Sequence, residues 1–207
     1  MMEDIGVDVV FFPTVELMYP DGYDTYVECD VGTGRNEGAI RPHFFRGVAT
    51  VCCKLFIMME PHIVVFGQKD AQQCVVITHM VRDLNFDIKV VIHPTRREED
   101  GLAMSSRNKY LTEEERPKAT VIHRALLAGR AKIEELGAKA RSADISQAMM
   151  SVLETEPLLT VQYAEVLHRS TLMDAGDLGG HDEVLIAIAG VIGKTRLIDN
   201  MPVVVPK

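Results

Sequence analysis

Apolar residues in this chain fall into short blocks separated by glycine, proline and charged residues, and the blocks change character near the middle. Val7-Asp8-Val9-Val10-Phe11-Phe12 is β-branched and aromatic and stops at Pro13, which predicts a buried strand. Tyr19-Pro20-Asp21-Gly22-Tyr23 predicts a turn. Residues 25–31 predict a short extended piece, and residues 32–38 a glycine-rich loop. From Gly47 to Met59 the chain is apolar nearly all round, the pattern of a buried helix, which stops before Pro61. Ile63-Val64-Val65-Phe66 predicts a second buried strand, ending at Gly67. Ala71 to Leu84 predicts a helix with Val75, Val76, His79, Met80 and Val81 on one broad face. Asp87 to Ile92 predicts a third strand, closed by Pro94.

Strand, helix and strand with short connections predict a parallel sheet, in which ligands bind beyond the carboxyl ends of the strands. Gly67–Asp70 and Thr95–Asn108 then face one crevice. Downstream, Thr112-x-x-Glu115 is a capping box. It predicts a long helix from Glu113 to Leu136, ended by Gly137, with Pro117 tolerated in the first turn. A helix at Ala143–Glu154 and strands at Thr160–Leu167, Glu183–Ile192 and Arg196–Asp199 predict a small α+β unit. The boundary falls near Asn108 to Leu111. The expected fold class is thus α/β: a domain over residues 1–110 built on a parallel sheet, then an α+β domain over residues 111–207.

Composition narrows the chemistry. The 207 residues are 47% hydrophobic and 25% charged, with a formal net charge of −8. That balance, with no basic block, argues against a sequence-independent grip on nucleic acid. No apolar run has membrane length and no signal peptide opens the sequence, so neither membrane nor secretion is expected. Cys29, Cys52, Cys53 and Cys74 lack metal-site spacing and read as buried thiols in a reducing cytoplasm. The seven histidines show no ligand spacing either, and no metal site is expected.

The richest stretch is Asp100 to Asn108, where Ser105, Ser106 and Arg107 place two hydroxyls and a fixed cation directly after a strand. Hydroxyls and loop amides can cradle phosphate oxygens, and arginine can neutralise charge developing on them. A plain polar turn would use the same residue types. The second loop, Gly67-Gln68-Lys69-Asp70, tips the balance. Lys69 is a candidate phosphate contact. Asp70 could accept ribose hydroxyls or hold Mg²⁺, or simply cap the following helix. Gln73 aims at the crevice, whereas Gln72 is read as facing solvent. Arg46 and Gly47 open the apolar helix, and Arg96 to Asp100 forms a charged rim.

Together these residues resemble the pantothenate synthetase (pantoate–β-alanine ligase) family. The matching stretches are Arg41–Val51, Phe66–Gln73, Val81–Phe86, Arg97–Leu111 and Thr195–Asn200. The resemblance spans essentially the whole chain and is densest from Arg41 to Leu111. It implies a partial Rossmann-like nucleotidyltransferase domain followed by the small α+β domain, usually as a homodimer. The implied reaction condenses D-pantoate with β-alanine, using ATP and Mg²⁺, through a pantoyl-adenylate. By position, Gly67, Gln68, Lys69, Asp70 and Arg96 fall in the ATP site, with Met104, Ser105, Ser106 and Arg107 in the segment closing over it. Lys69, Ser105, Ser106 and Arg107 carry the implied catalytic role. Gln73, Val51 and Cys52 fall where the family binds pantoate.

Three departures from the family pattern stand out. The family's opening strand, its His-x-Gly-His loop and an Asn-Pro-x-Gln-Phe segment are not in this sequence. The resemblance then makes residues 7–12 strand 3 and residues 63–66 strand 4 of a 3-2-1-4-5 sheet with a gap between them. Phe44 stands where the family has histidine. Gln68 replaces a usual glutamate and Arg96 a usual valine. The alternative expectation is an impaired remnant that binds nucleotide or a partner chain.

Overall fold

The structure, a computed structural model, describes residues 2–31, 34, 36–41 and 43–207. Two of the expected strands form a pair. Ile63–Gly67 (β1) and Lys89–His93 (β2) run parallel, in register from Ile63 opposite Lys89 to Gly67 opposite His93. Ala71–Asp83 (the fourth helix along the chain) crosses between them. Before it come Val15–Met18 (α1), Asn36–Ile40 (α2) and Phe44–Met59 (α3), so the crossover is α4. A short 3₁₀ turn, Gln68–Asp70, joins β1 to α4. Phe45, Ala49, Cys53 and Phe56 of α3 pack on Val76, Ile77, Met80 and Val81 of α4, which buries the shared apolar faces of the two helices.

Several expectations are corrected here. Residues 7–12 form no strand: the segment has no regular structure, and Phe12 is 92% exposed. A β-branched run becomes a strand only where a neighbour takes its N–H and C=O groups, and among the described residues no ladder reaches it. Residues 25–31 also form no strand. They are tied to α3 instead, the Val27 N–H donating to Thr50 Oγ1 at 2.9 Å. The β1 strand is not buried on both faces; Val64 and Phe66 pack on the helices, whereas Ile63 and Val65 are 57% and 64% exposed. The last turn of α3, Ile57 to Met59, is exposed too. The glycine-rich stretch expected at 32–38 lies partly outside the described residues.

The second half is built on an antiparallel sheet of Leu159–His168 (β3), Glu183–Ile192 (β4) and Thr195–Val204 (β5), in that order. The capping box forms as expected. Thr112 Oγ1 accepts the Glu115 N–H at 3.2 Å and Glu115 Oε2 accepts the Thr112 N–H at 2.9 Å. The long helix is nevertheless two, Glu115–Lys118 (α5) and Val121–Leu136 (α6), followed by Ser142–Leu153 (α7). Pro117 brings no N–H to the first turns, and the Thr120 hydroxyl donates to the Pro117 carbonyl at 2.7 Å at the break. Helices α6 and α7 cover one face of the sheet, with Ile122, Leu126, Ile145 and Met149 against Val184, Ile186 and Ile188. Leu185 and Ala187, on the opposite face of β4, pack with Ala71 and Leu167 in a smaller cluster that joins the halves.

Candidate active site

The loop after β2 folds back on itself. Arg97 pairs with Ala103 as an antiparallel bridge, and the Glu98 N–H donates to the Leu102 carbonyl at 2.8 Å. Gly101 makes the turn at φ +91°, and a Cβ there would lie 2.3 Å from the His123 ring, so both conformation and space call for glycine. Leu102 is inserted into the core of the second half. The Asp100 carboxylate accepts from Arg116 at 2.7 and 3.2 Å, and this bond to Arg116, with a second from the Leu102 N–H, holds its pKa below the usual carboxylate value. The loop then enters a 3₁₀ turn, Ser106–Tyr110, in which Ser105 Oγ accepts the Arg107 N–H at 3.2 Å. Asn108 Nδ2 ties the turn to Glu98 and to the Ala103 carbonyl.

Strand β5 holds both loops. Asn200 Nδ2 donates to the carbonyls of Gln68 and Lys69 at 3.0 and 2.8 Å, and its Oδ1 accepts from Gln68 Nε2 at 2.9 Å. Next to it, buried Asp199 takes a bidentate bond from Arg97 at 2.6 and 3.0 Å. Bidentate arginine–carboxylate pairs fix direction as well as distance. One strand end therefore positions the loop after β1 and the loop after β2 relative to each other.

A cavity lies between these loops, α2 and the second face of the β3–β5 sheet. Of the residues singled out in the sequence, Lys69, Asp70, Gln73 and Arg107 line it. Among the described residues no carboxylate pairs with Lys69 or Arg107. Asp70 precedes α4 but makes no side-chain cap, which leaves its carboxylate available to a ligand. Gly67, Arg96, Met104, Ser105 and Ser106 belong to the two loops but do not line the cavity. Gln68 is buried and committed to Asn200. Val51 and Cys52 do not reach the cavity; Cys52 packs with the α3–α4 cluster, and burial pushes its thiol up to about 11. Arg46 does not line it either; its guanidinium lies 3.7 Å from the centroid of the Tyr26 ring.

Three features escaped the sequence reading. Gln72 does not face solvent: it is 8% exposed, and its Oε1 accepts the Glu37 N–H at 3.1 Å. Glu37, in the segment expected to be a loop, is buried with its carboxylate on Arg196 Nη1 and Nη2 at 2.7 and 2.5 Å. It also accepts from Tyr163 Oη at 3.1 Å, and burial, with the adjacent Glu37 charge, raises the phenol pKa. Third, Phe44 lines the cavity with the Arg41 guanidinium 3.5 Å from its ring centroid. The signal for the β5 contacts was present in Arg196-Leu197-Ile198-Asp199-Asn200, polar residues that a strand would otherwise keep exposed. Glu37 gave no comparable signal, since its partner lies 159 residues away.

An α/β scaffold that sets unpaired cations, a free carboxylate and amide side chains around a cavity at the carboxyl ends of parallel strands has the arrangement of an enzyme acting on small anionic substrates. The comparisons make this specific. The family model described as pantoate-beta-alanine ligase matches residues 1–202, and the chain belongs to that family. A relative from Chloroflexus aggregans named pantothenate synthetase is 50% identical over 201 residues, spanning 97% of this chain and 71% of the relative. The crystal structure of pantothenate synthetase from Thermus thermophilus superposes with a TM-score of 0.90 at 42% identity, covering 97% of this chain and 71% of that one. A Francisella tularensis pantoate-beta-alanine ligase, solved as a complex with β,γ ATP and β-alanine, gives a TM-score of 0.66 at 28% identity, with 97% and 66% covered. Family membership fits an α/β ligase that uses ATP.

Proposed function

We propose that the chain condenses D-pantoate with β-alanine through a pantoyl-adenylate, releasing pyrophosphate and AMP. The observation that carries this reading is the meeting of unpaired Lys69 and Arg107 with Gln73 in one cavity. Attack of the pantoate carboxylate on the α-phosphate brings two anions together. Cations already in place offset that repulsion and stabilise the leaving pyrophosphate. Gln73, with donor and acceptor on one amide, suits the hydroxy acid. The amine of β-alanine then attacks the mixed anhydride and displaces AMP. Met104, Ser105 and Ser106, exposed or half-buried directly before Arg107, are given the closure over the triphosphate on the family resemblance. Gly67, with no neighbour within 4 Å of a Cβ position, and Arg96 are given to the nucleotide side on the family resemblance. Val51 and Cys52 enter this reading only through the family resemblance.

Mg²⁺ belongs to the reading as an ion carried by the nucleotide. Among the described residues no three His, Cys, Asp or Glu side chains gather into a metal site. The ion would bind through phosphates and one or two carboxylates, with Asp70 as the lining carboxylate not taken by an arginine. Residues 1–110 are taken as the nucleotide-binding half and 111–207 as the α+β half, working in the cytoplasm as a homodimer. Among the described residues no helix is long and apolar enough to cross a membrane.

The test is AMP release from ATP, D-pantoate and β-alanine, with D-pantoate carrying ¹⁸O in its carboxylate. Transfer of label to AMP, abolished in Lys69→Ala, is the expected result. AMP without label would overturn the adenylate, and no pantoate-dependent AMP would overturn the reaction. A second reading, nucleotide binding without turnover, would instead give calorimetric ATP binding in the absence of AMP release.

A further inference from the structure

Asn36 opens α2 with φ at 49°, in the left-handed region that asparagine tolerates better than most residues. It lines the cavity, yet its Oδ1 is shut off from solvent and accepts no hydrogen bond. A buried acceptor left without a donor carries the full cost of its lost hydration, so such a group calls for a partner. The next residue keeps it in place. Glu37 is held by two bonds from Arg196 and one from Tyr163, and its N–H by Gln72, so the backbone of α2 is anchored beside the cavity. Three other acceptors of the lining are already engaged. Asp199 is taken by Arg97, Glu37 by Arg196, and Asn200 Oδ1 by Gln68. The same lining thus carries Lys69 and Arg107 for an anion and, at Asn36, a neutral acceptor without a donor.

We infer that Asn36 is a substrate-binding residue whose Oδ1 accepts a hydrogen bond from a hydroxyl or amine of a small carboxylic acid. The inference rests on the proposed function, in which both carbon substrates have this form. Pantoate carries hydroxyls beside its carboxylate, and β-alanine carries an amine. A hydroxyl and an amine present the same donor chemistry to an amide oxygen, and separate titrations tell them apart.

The experiment is calorimetric titration of the 207-residue chain and its Asn36→Leu variant with D-pantoate and with β-alanine, each alone and with a non-hydrolysable ATP analogue. Loss of one good hydrogen bond to substrate corresponds to roughly tenfold weaker binding. The expected result is that weakening for one of the two acids in N36L, with the other within about twofold and a melting temperature equal to or above that of the wild type. Unchanged affinity for both acids in folded N36L overturns the inference and leaves the proposed function standing. If the wild type binds neither acid, both fall together. Asn36→Ala makes the same comparison if the leucine variant does not fold.

Discussion

The two sheets of this molecule are built to different standards. Strand β4 is buried along nearly its whole length, with α6 and α7 on one side and the smaller cluster around Ala71 on the other. The β1–β2 pair has five rungs, helices on one face, and Ile63 and Val65 open on the other. Yet the loops singled out for chemistry leave the carboxyl ends of the thinner sheet. The difference shows where their precision comes from. Asp199 and Asn200 of the well-buried sheet take hold of Arg97 and of the Gln68–Lys69 carbonyls, so the stronger scaffold positions the loops of the weaker one.

Substitutions at matched positions test that contrast. The largest effect is expected at Ile186, fully buried under α6 and α7. Ile186→Ala should cost about 4 kcal/mol by urea denaturation, while Val65→Ala on the open face stays within about 0.5 kcal/mol. Comparable costs at both positions would abolish the distinction. Next comes Asp199→Ala, which strands a largely buried arginine and should cost about 3 kcal/mol. It should also speed amide exchange in residues 96–104 and 67–70. If exchange rises only within β5, the strand does not hold the loops. Gly101→Ala is smaller, about 2 kcal/mol, from a strained φ and contact with His123. A crystal structure of that variant should show the ring displaced.

Thr112→Ala removes one half of the capping box and should cost about 1 kcal/mol in thermal unfolding, leaving the loops undisturbed. The smallest effect concerns pH. Burial, with the nearby Arg97 charge, lowers the His123 pKa from its ordinary 6.5. The unfolded chain then takes up this proton before the folded one. The contribution of His123 to stability is complete above about 6.5 and declines as pH falls through that value toward the lower folded pKa. Denaturation midpoints between about pH 7.5 and about pH 5 should fall in the wild type and fall less in His123→Phe. Parallel curves would remove His123 from the linkage.

Much of the molecule was legible before its structure. The helices at Ala71–Asp83 and Ser142–Leu153, the β1–β2 pair and the start and end of Glu183–Ile192 follow from local period and punctuation. That Lys69, Asp70, Gln73 and Arg107 line one cavity was legible too, because short loops after apolar strands have one crevice to face. Residues 7–12 misled because strand propensity describes a side-chain surface and says nothing of a partner for the backbone. Gln72 misled because a polar residue in a first helical turn looks solvated until a distant backbone N–H meets it. Glu37 was invisible for the same reason, its partners being Tyr163 and Arg196.

By itself the sequence determined most of the local elements, the capping box and the family to which the chain belongs, since each rests on neighbours a few residues apart or on contiguous motifs. Only the tertiary structure decided which cations are left unpaired, which polar groups are spent on holding loops, and that Asn36 Oδ1 ends buried without a donor. Those outcomes depend on groups more than a hundred residues apart competing for the same hydrogen bonds, and the competition is settled when the two sheets pack together.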